Sequence, residues 1–268
     1  IISAYINGTN LDDNNIFLDD DNLVSAGSFN TQITWMDAKV NGTPVTPRNG
    51  KTVELNALWF NALKIMARFA ERFGEKEKCK EYLSLAEATK ASFIEKFYNE
   101  QKKCLYDVLG DPKVRPNQLF ALSLTHPIIE DKKIAKEILK TIKEKLLNPY
   151  GLKTLAADEE KYVDIYEGSP AKRDSSYHQG ITWVWLLGLY YEAIKNYMKI
   201  DKKDNENAQK ELKELIQRTT ETFKEEMKMN SSIGTISEIY DSRFPFEARG
   251  AFAQAWSVAE VLRIVLEK

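Results

Sequence analysis

The chain has 268 residues, of which 43% are hydrophobic and 11% aromatic, and this is the composition of a globular protein rather than a disordered one. Its 38 basic and 40 acidic residues leave a formal net charge of −2, so the composition does not indicate binding to nucleic acid or to an anionic membrane. The longest apolar run, residues 184–191, is too short to span a bilayer, and residues 1–9 lack the basic start and cleavage site of a signal peptide.

Cysteine and histidine usage argues against a metal site. Cys79 and Cys104 are the only cysteines and lie on dissimilar segments, and the chain has two histidines. This set does not match the ligand spacing of a zinc site, and no glycine-rich phosphate loop is present. We therefore predict no metal and no cofactor, and a reduced, cytoplasmic setting.

Most of the chain is predicted to be helical. Residues 1–8 have the pattern of a helix end, and residues 104–109 that of a short strand. Apolar residues recur at helical spacing in seven segments, which are residues 53–73, 76–98, 115–124, 131–147, 181–197, 205–229 and 252–266. These segments alternate between helices that are mostly apolar and amphipathic helices with an exposed face. The alternation predicts one all-α domain, residues 1–268, with an inner and an outer layer of helices and little strand.

The loops before the apolar helices carry most of the aromatic and polar side chains. Residues 34–52 contain too many turn residues for regular structure, yet they hold Trp35, Asp37, Lys39 and Arg48. Thr52 is a plausible N-cap for the helix that follows. Polar loops at the N-termini of buried helices are places where functional sites gather, although a solvated surface loop has the same composition.

Two acids in such loops could form a catalytic pair. Acid–base hydrolysis can use two carboxyl groups, one to protonate a leaving group and one to attack or to activate water. Asp37 follows Trp35, and Glu238 lies between apolar residues shortly before the last helix. Because most acids are solvated surface charges, position rather than residue type selects this pair.

A second group of candidates lies before the helix predicted at residues 181–197. Tyr177, His178 and Gln179 precede a glycine, and Trp183 and Trp185 follow it. A pyranose ring packs its C–H face on an aromatic ring while amides bind its hydroxyl groups. A structural histidine and two core tryptophans are the alternative interpretation, and no Ser or Cys triad can be assembled around the histidine.

Several motifs together resemble a known family. They are TWMDAK, TPR, GK and VELNALW within residues 34–60, RPNQ at 115–118, GSP at 168–170, RD at 173–174, YHQG at 177–180 and QAWS at 254–257. The set is similar to the C-terminal glucosidase domain of glycogen-debranching enzymes, the amylo-α-1,6-glucosidases, and the similarity covers nearly the whole chain. Val184 departs from the pattern, because a proline is expected between the two tryptophans.

The resemblance implies a fold and an activity. The fold would be an (α/α)6 barrel, of which the seven helices would be helices six to twelve, leaving one side of the barrel open to self-association. The activity would be the inverting release of glucose from α-1,6 branch stubs of an α-glucan such as glycogen or limit dextrin. Asp37 would be the general acid and Glu238 the general base.

The resemblance also implies a set of substrate-binding residues. They are Trp35, Lys39, Arg48, Asn56, Trp59, Asn117, Gln118, Arg173, Asp174, Tyr177, His178, Gln179, Trp183, Trp185, Gln254 and Trp256. For Asn117 and Gln254, capping of a helix end is an equally simple role. Arg48 and Arg173 could instead clamp the two catalytic carboxylates, and Arg173 could pair with Asp174.

Two other functions fit the same pattern. One is a different α-glucosidase or a trehalase-like hydrolase on the same barrel, which would differ in its products from isomaltose-type, maltose and trehalose substrates. The other is a non-catalytic helical module that holds α-glucan in aromatic pockets, and its binding would survive the loss of both Asp37 and Glu238.

Overall fold

The computed structural model describes residues 1–11, 15–229 and 233–266, and this part of the chain contains nine α-helices. Their bounds are α1 (Ile2–Asn7), α2 (Val53–Arg72), α3 (Lys76–Phe97), α4 (Phe120–Ser123), α5 (Lys132–Lys145), α6 (Pro170–Ser176), α7 (Leu186–Ile200), α8 (Asn205–Met229) and α9 (Ala255–Leu266). A 3-10 turn, Pro116–Leu119, leads directly into α4. No helix in the described ranges is both long enough and apolar enough to cross a membrane.

The longer helices form two layers, as the alternating pattern predicts. Helix α2 packs against α4, α4 against α7, and α7 against α9, which makes the inner layer. Helices α3, α5 and α8 pack on the outside of α2 and α7. The apolar core between the layers is built from buried side chains such as Leu63, Phe93, Leu122, Ile138 and Tyr190.

Short antiparallel strands connect the helices. They are β1 (Ile16–Leu18), β2 (Val24–Ala26), β3 (Lys39–Val40), β4 (Thr43–Pro44), β5 (Tyr98–Asn99), β6 (Cys104–Leu105), β7 (Leu147–Asn148), β8 (Gly151–Lys153), β9 (Thr182–Trp183), β10 (Ile239–Tyr240) and β11 (Ala248–Arg249). Three pairs form isolated hairpins, and the remaining five strands form one sheet in the order β11-β10-β9-β8-β7. The sequence predicted little strand and not this sheet, which joins loops far apart in the chain.

Three local expectations need correction. The helix predicted from residue 181 begins at Leu186, because Thr182 and Trp183 pair in the sheet as β9. Helix α6 lies between residues 148 and 180, outside the seven segments predicted to be helical. Thr52 is the N-cap residue of α2 as predicted, but its hydroxyl makes no capping bond and the amide of Asn56 bonds its carbonyl instead.

Helix α9 also differs from its prediction as a buried helix. Ser257, Val261 and Ile264 are its buried residues, whereas Leu262 is 52% exposed and lies on an uncovered apolar face. Helix α2, at the other end of the inner layer, exposes 49% of Phe69. Apolar spacing identified both helices correctly, but it does not show which neighbours are present to cover them.

Candidate active site

Both carboxylate oxygens of Glu238 are held by hydrogen bonds. The Tyr177 hydroxyl donates to Oε1 at 2.6 Å and the Gln254 side-chain amide donates to the same oxygen at 3.4 Å. The backbone N–H of Ala251 donates to Oε2 at 2.9 Å. The side chain is half-buried, so the carboxylate is fixed in direction and still reaches solvent.

The five-stranded sheet determines where Glu238 lies. It immediately precedes β10, whose residue Ile239 pairs with Trp183 of β9. Tyr240 on β10 is buried, and its hydroxyl bonds Glu226 of the outer helix α8 at 3.0 Å. The strand that carries Glu238 is therefore anchored to the sheet and to the outer layer.

Four tryptophans and His178 form one aromatic cluster beside Glu238. Trp35 meets Trp183 and Trp185 edge-on, with ring centroids 5.3 Å and 5.0 Å apart. Trp256 stacks on Trp185 at 5.3 Å, and His178 stacks on Trp183 at 5.4 Å. Trp256 is 37% exposed and Trp35 and Trp185 are half-buried, so the cluster presents ring surface at the site.

Asp37 stands at the edge of the same cluster. It follows Trp35 by two residues, its side chain is exposed, and it makes no hydrogen bond or ion pair with any residue that the structure describes. Its negative charge is close enough to contribute to raising the pKa of Tyr177. The two acids chosen from the sequence thus act on one phenol.

The environment keeps Tyr177 and His178 uncharged. Burial, followed by the hydrogen bond to Glu238, raises the pKa of Tyr177, so its phenol stays protonated and donates. Burial lowers the pKa of His178 to about 3, and the nearby Arg115 and Arg48 add to the effect. His178 is therefore neutral at neutral pH, and both of its ring nitrogens lack a partner in the described part of the chain.

Beneath Trp35 lies a cluster of buried charges that the sequence did not reveal. Arg48 donates two bonds to Glu54 and also bonds Asp107 through Nε at 2.7 Å. Asn117 donates to Asp107 Oδ1 at 2.7 Å and accepts the indole N–H of Trp35 at 2.7 Å.

Arg115, which the RPNQ motif contains, donates to the carbonyl of His178 at 2.7 Å. No local pattern distinguishes Glu54 and Asp107 from the many surface acids.

Burial corrects the role expected for several predicted substrate-binding residues. Arg48, Asn56, Trp59, Asn117, Gln118, His178, Gln179 and Trp183 are each 5% exposed or less, so they do not present side chains to a substrate. Asn56 bonds the backbone of Val24, Trp59 stacks on Tyr5, and Gln118 bonds the backbone N–H of Leu105.

The alternative roles considered for Arg48 and Asn117 also need correction. Arg48 clamps two carboxylates, but they belong to Glu54 and Asp107 and not to Asp37 and Glu238. Asn117 caps no helix end. The Gln179 side chain joins Thr46 to Arg115.

The other predicted residues lie at or near the surface of the site. Of the two roles considered for Gln254, the bond at the helix end is present, because its oxygen accepts the N–H of Ala255 at the start of α9, and its amide donates to Glu238. Arg173 is exposed and Asp174 half-buried on α6, which packs against β3. Burial raises the pKa of Tyr166, whose ring lies against Tyr177; Arg173 opposes this shift and Asp174 adds to it.

Two expectations concern surface charges and bound metal. Lys39 is exposed on β3 and bonds the carbonyl of Asn30, and no ion pair joins Arg173 to Asp174 within the described ranges. Among residues 1–11, 15–229 and 233–266, no three His, Cys, Asp or Glu side chains gather in a way that could hold a metal ion.

Solved structures share this fold at low sequence identity. Neutral trehalase from Saccharomyces cerevisiae superposes with a TM-score of 0.56 at 15% identity, over 80% of this chain and 37% of the trehalase. The GH63 mannosylglycerate hydrolase from Thermus thermophilus superposes with a TM-score of 0.53 at 14% identity, over 83% and 46% of the two chains. The helical layers thus have the fold that these two proteins share, which is of the α/α-barrel type.

Sequence comparison identifies the family. Glycogen debranching enzyme from Saccharomyces cerevisiae is 25% identical, over 65% of this chain and 14% of the relative. A periplasmic trehalase from Escherichia coli O1:K1 is 28% identical, over 65% of this chain and 28% of the relative, so this chain spans a minor part of both proteins. The pattern of the amylo-alpha-1,6-glucosidase family matches residues 1–263. The chain therefore belongs to the amylo-alpha-1,6-glucosidase family, which is a family of glycoside hydrolases.

Proposed function

We propose that this chain carries the catalytic pair of an inverting α-1,6-glucosidase that releases glucose from single-residue branch stubs of glycogen or limit dextrin. The observation that carries the proposal is the Glu238 carboxylate, bonded at both oxygens beside an aromatic cluster that also holds the loop of Asp37. Family membership favours this linkage and substrate over others.

Glu238 is suited to be the general base. A base that activates water must be ionised and must point in one direction, and the neutral Tyr177 hydroxyl and the Ala251 N–H stabilise such a carboxylate. Oε1 accepts two bonds and Oε2 accepts one, so Oε2 keeps a lone pair that can accept a proton from water. Gln254 limits rotation of the carboxylate from the side of α9.

Asp37 is suited to be the general acid. Its carboxyl is exposed and unbonded within the described part of the chain, so it is free to reach the oxygen of a departing sugar. In the inverting mechanism the two carboxyl groups stand about 6.5–9.5 Å apart and leave room for water, whereas about 5 Å would indicate retention. We expect the longer separation in a complex with substrate.

The aromatic cluster would bind the terminal glucose. Sugar C–H faces pack on aromatic rings, and Trp35, Trp185 and Trp256 keep exposed surface in the cluster that Trp183 joins to Tyr177, the donor to Glu238. Buried Trp183 and His178 support these rings from behind.

The proposal includes a twelve-helix barrel in which the two layers seen here are helices six to twelve. The uncovered apolar faces of α2 and α9, which terminate the inner layer, support it. Closure would require further helices over those faces, supplied by the same protein or by another chain. The 268-residue chain by itself is then expected to have little or no hydrolytic activity.

Two substitutions in the complete protein test the catalytic pair. Asp37→Asn and Glu238→Gln both keep side-chain size and remove the charge, and each should lower turnover of branched dextrin by about 10²–10⁴-fold. Fluoride departs with much less need of a proton than a sugar does. Asp37→Asn should therefore retain substantial activity on α-glucosyl fluoride, whereas Glu238→Gln should lose activity on both substrates.

The activities of the two variants on dextrin and on α-glucosyl fluoride decide between the possible roles of the two acids. Rescue by the fluoride in Glu238→Gln instead would reverse the two assignments. If both variants still hydrolyse dextrin at the wild-type rate, the catalytic pair lies elsewhere. Dextrin binding that survives both substitutions, with no turnover by the wild-type protein, would indicate a glucan-binding module.

A trehalase-like specificity is the second candidate. The similarity to trehalases in both sequence and fold favours it over other α-glucosidases. Initial rates on isomaltose-type, maltose and trehalose substrates separate the two, because each specificity predicts a different preferred substrate. Preference for trehalose would replace the proposed substrate and leave the catalytic pair in place.

A further inference from the structure

The buried charges beneath Trp35 have no part in the proposed chemistry. Arg48, Glu54, Asp107 and Arg115 are each 5% exposed or less, and two positive and two negative charges balance. Desolvation of four charges is costly even when they are paired. A cluster of this kind stabilises the fold weakly, so its position under the loop of Asp37 calls for another explanation.

Two acids share Arg48 but differ in what they touch next. Glu54, in the first turn of α2, receives two bonds from the Arg48 guanidinium, and that guanidinium is its whole set of side-chain partners in the described residues. Asp107 receives Arg48 Nε at 2.7 Å and Nη2 at 3.2 Å, and in addition the amide of Asn117 at 2.7 Å. Of the two acids, only Asp107 is also bonded to Asn117, which in turn accepts the indole N–H of Trp35.

The bonds of Asn117 give its side-chain amide a single orientation. An indole N–H can only donate and a carboxylate can only accept. The Asn117 oxygen must therefore face Trp35, and its NH₂ must face Asp107. Asp107 thereby decides which end of the amide meets the indole.

Trp35 in turn determines the position of Asp37. Met36, between them, is completely buried against the Asn117 amide. On the far side of Asp37, the carbonyl of Ala38 accepts bonds from Val45 N at 3.0 Å and from Gln32 Nε2 at 3.1 Å. Asp37 has no bond of its own within the described ranges, so these neighbours set its position.

We propose that Asp107 is a positioning residue for the general acid, acting through Asn117 and Trp35 on the loop that carries Asp37. The inference rests on the proposed function, because it takes Asp37 to be the acid. The relay has two hydrogen bonds, of which the one from Asn117 to Asp107 is buried and the one from Trp35 to Asn117 is partly buried.

The variant Asp107→Asn should break the relay in a definite way. Two donors of Arg48 face residue 107, so the oxygen of the new amide turns to the guanidinium and its NH₂ turns to Asn117. Asn117 must then rotate to offer its oxygen, which leaves its own NH₂ against the indole N–H of Trp35. The bond that holds Trp35 is lost, although the cluster keeps its shape.

The test measures turnover of branched dextrin and of α-glucosyl fluoride by the complete protein. A displacement of about 1 Å can cost about 10²-fold in rate, so Asp107→Asn should lower the ratio of dextrin to fluoride turnover by about 10–100-fold. Glu54→Gln is the matched control, because it removes an equally buried charge from the same arginine without touching the relay. It should leave the ratio unchanged.

A purely structural cluster predicts that Asp107→Asn and Glu54→Gln affect both substrates equally, and that result would overturn the inference. Asp37→Asn, measured in parallel, keeps the two proposals separate. If Asp37→Asn fails to lower the ratio, the acid assignment is wrong. If it lowers the ratio and Asp107→Asn does not, the relay is wrong.

A second variant covers the case in which Asp107→Asn does not fold. Trp35→Phe removes the indole N–H and leaves all four buried charges in place. It should lower the same ratio, and its thermal unfolding should stay close to that of the wild type. An unchanged ratio in a folded Trp35→Phe protein would contradict the relay.

Discussion

A single methyl group at Gly250 should disable the catalytic base. Gly250 follows β11 and has a φ of +68°, in the left-handed region that favours glycine. A Cβ built there collides with Glu238 Oε2, and it also lies 3.0 Å from Ile239 Cγ1 and 3.1 Å from Glu238 Cβ. Because both the end and the stem of the Glu238 side chain are crowded, rotation of its carboxylate alone cannot relieve the contact.

Gly250→Ala therefore has two separable effects. The positive φ costs a non-glycine residue about 1–2 kcal/mol. In a chain of this size 1 kcal/mol corresponds to about 2–4 °C in the thermal midpoint. The collision requires Glu238 Oε2 to retreat by roughly 1 Å, and a misplacement of that size can lower turnover by about 10²-fold.

Gly74→Ala provides the matched control. Gly74 follows α2, has a φ of +77°, and a Cβ built there meets nothing within 4 Å. The two variants should lose similar thermal stability, but Gly250→Ala alone should lose turnover, on branched dextrin and on α-glucosyl fluoride alike. Wild-type turnover by a folded Gly250→Ala protein would refute Glu238 as the base.

Three further predictions concern the aromatic cluster and the open face. The pKa of His178 is about 3 in the folded chain and 6.5 in the unfolded chain. Between pH 6.5 and pH 3 only the unfolded chain binds the proton, so the free energy of unfolding falls by about 1.4 kcal/mol for each pH unit of acidification. His178→Phe, which removes no hydrogen bond, should flatten this acid slope in urea unfolding measured from pH 7 to pH 4; an unchanged slope would contradict the assignment. Trp256→Ala should raise KM for dextrin by about tenfold with a small change in kcat, because a stacked ring contributes up to about 1.5 kcal/mol. Phe73→Ala is the control: its ring is 77% exposed at the C-terminal end of α2, and its loss should leave KM unchanged. The isolated chain should self-associate through the apolar face of α9, and Leu262→Glu should shift it toward monomer in sedimentation velocity. An unchanged sedimentation coefficient would show that another surface mediates the contact.

The sequence by itself determined the long helices and their order. Residues 205–229 carry a 25-residue amphipathic pattern, and α8 has those bounds; α2 and α3 end within one residue of their predicted ends. This success has a local cause, because helical periodicity repeats within every turn of one segment. Position relative to those helices also selected Asp37 and Glu238, which both influence Tyr177 and stay a proposal as the catalytic pair.

The strands and the buried charges depended on contacts between distant segments. Strand β10 has two residues, and nothing in Ile239 and Tyr240 indicates that they pair with Trp183 and Thr182 more than fifty positions earlier. A strand of two residues is too short to show an alternation of apolar and polar side chains, so its partner cannot be inferred from the sequence. The packing of the helices brings the paired strands together.

Burial of polar residues was likewise decided by tertiary structure. Asn117 and Arg48 match motifs that suggest sugar binding, but in the structure they are closed off under Trp35 by Asp107 and Glu54. An arginine that will meet two buried carboxylates has the same local sequence signature as one that will meet a ligand. Charge pairing acts through space between side chains 59 positions apart, such as Arg48 and Asp107, and the fold alone creates that proximity.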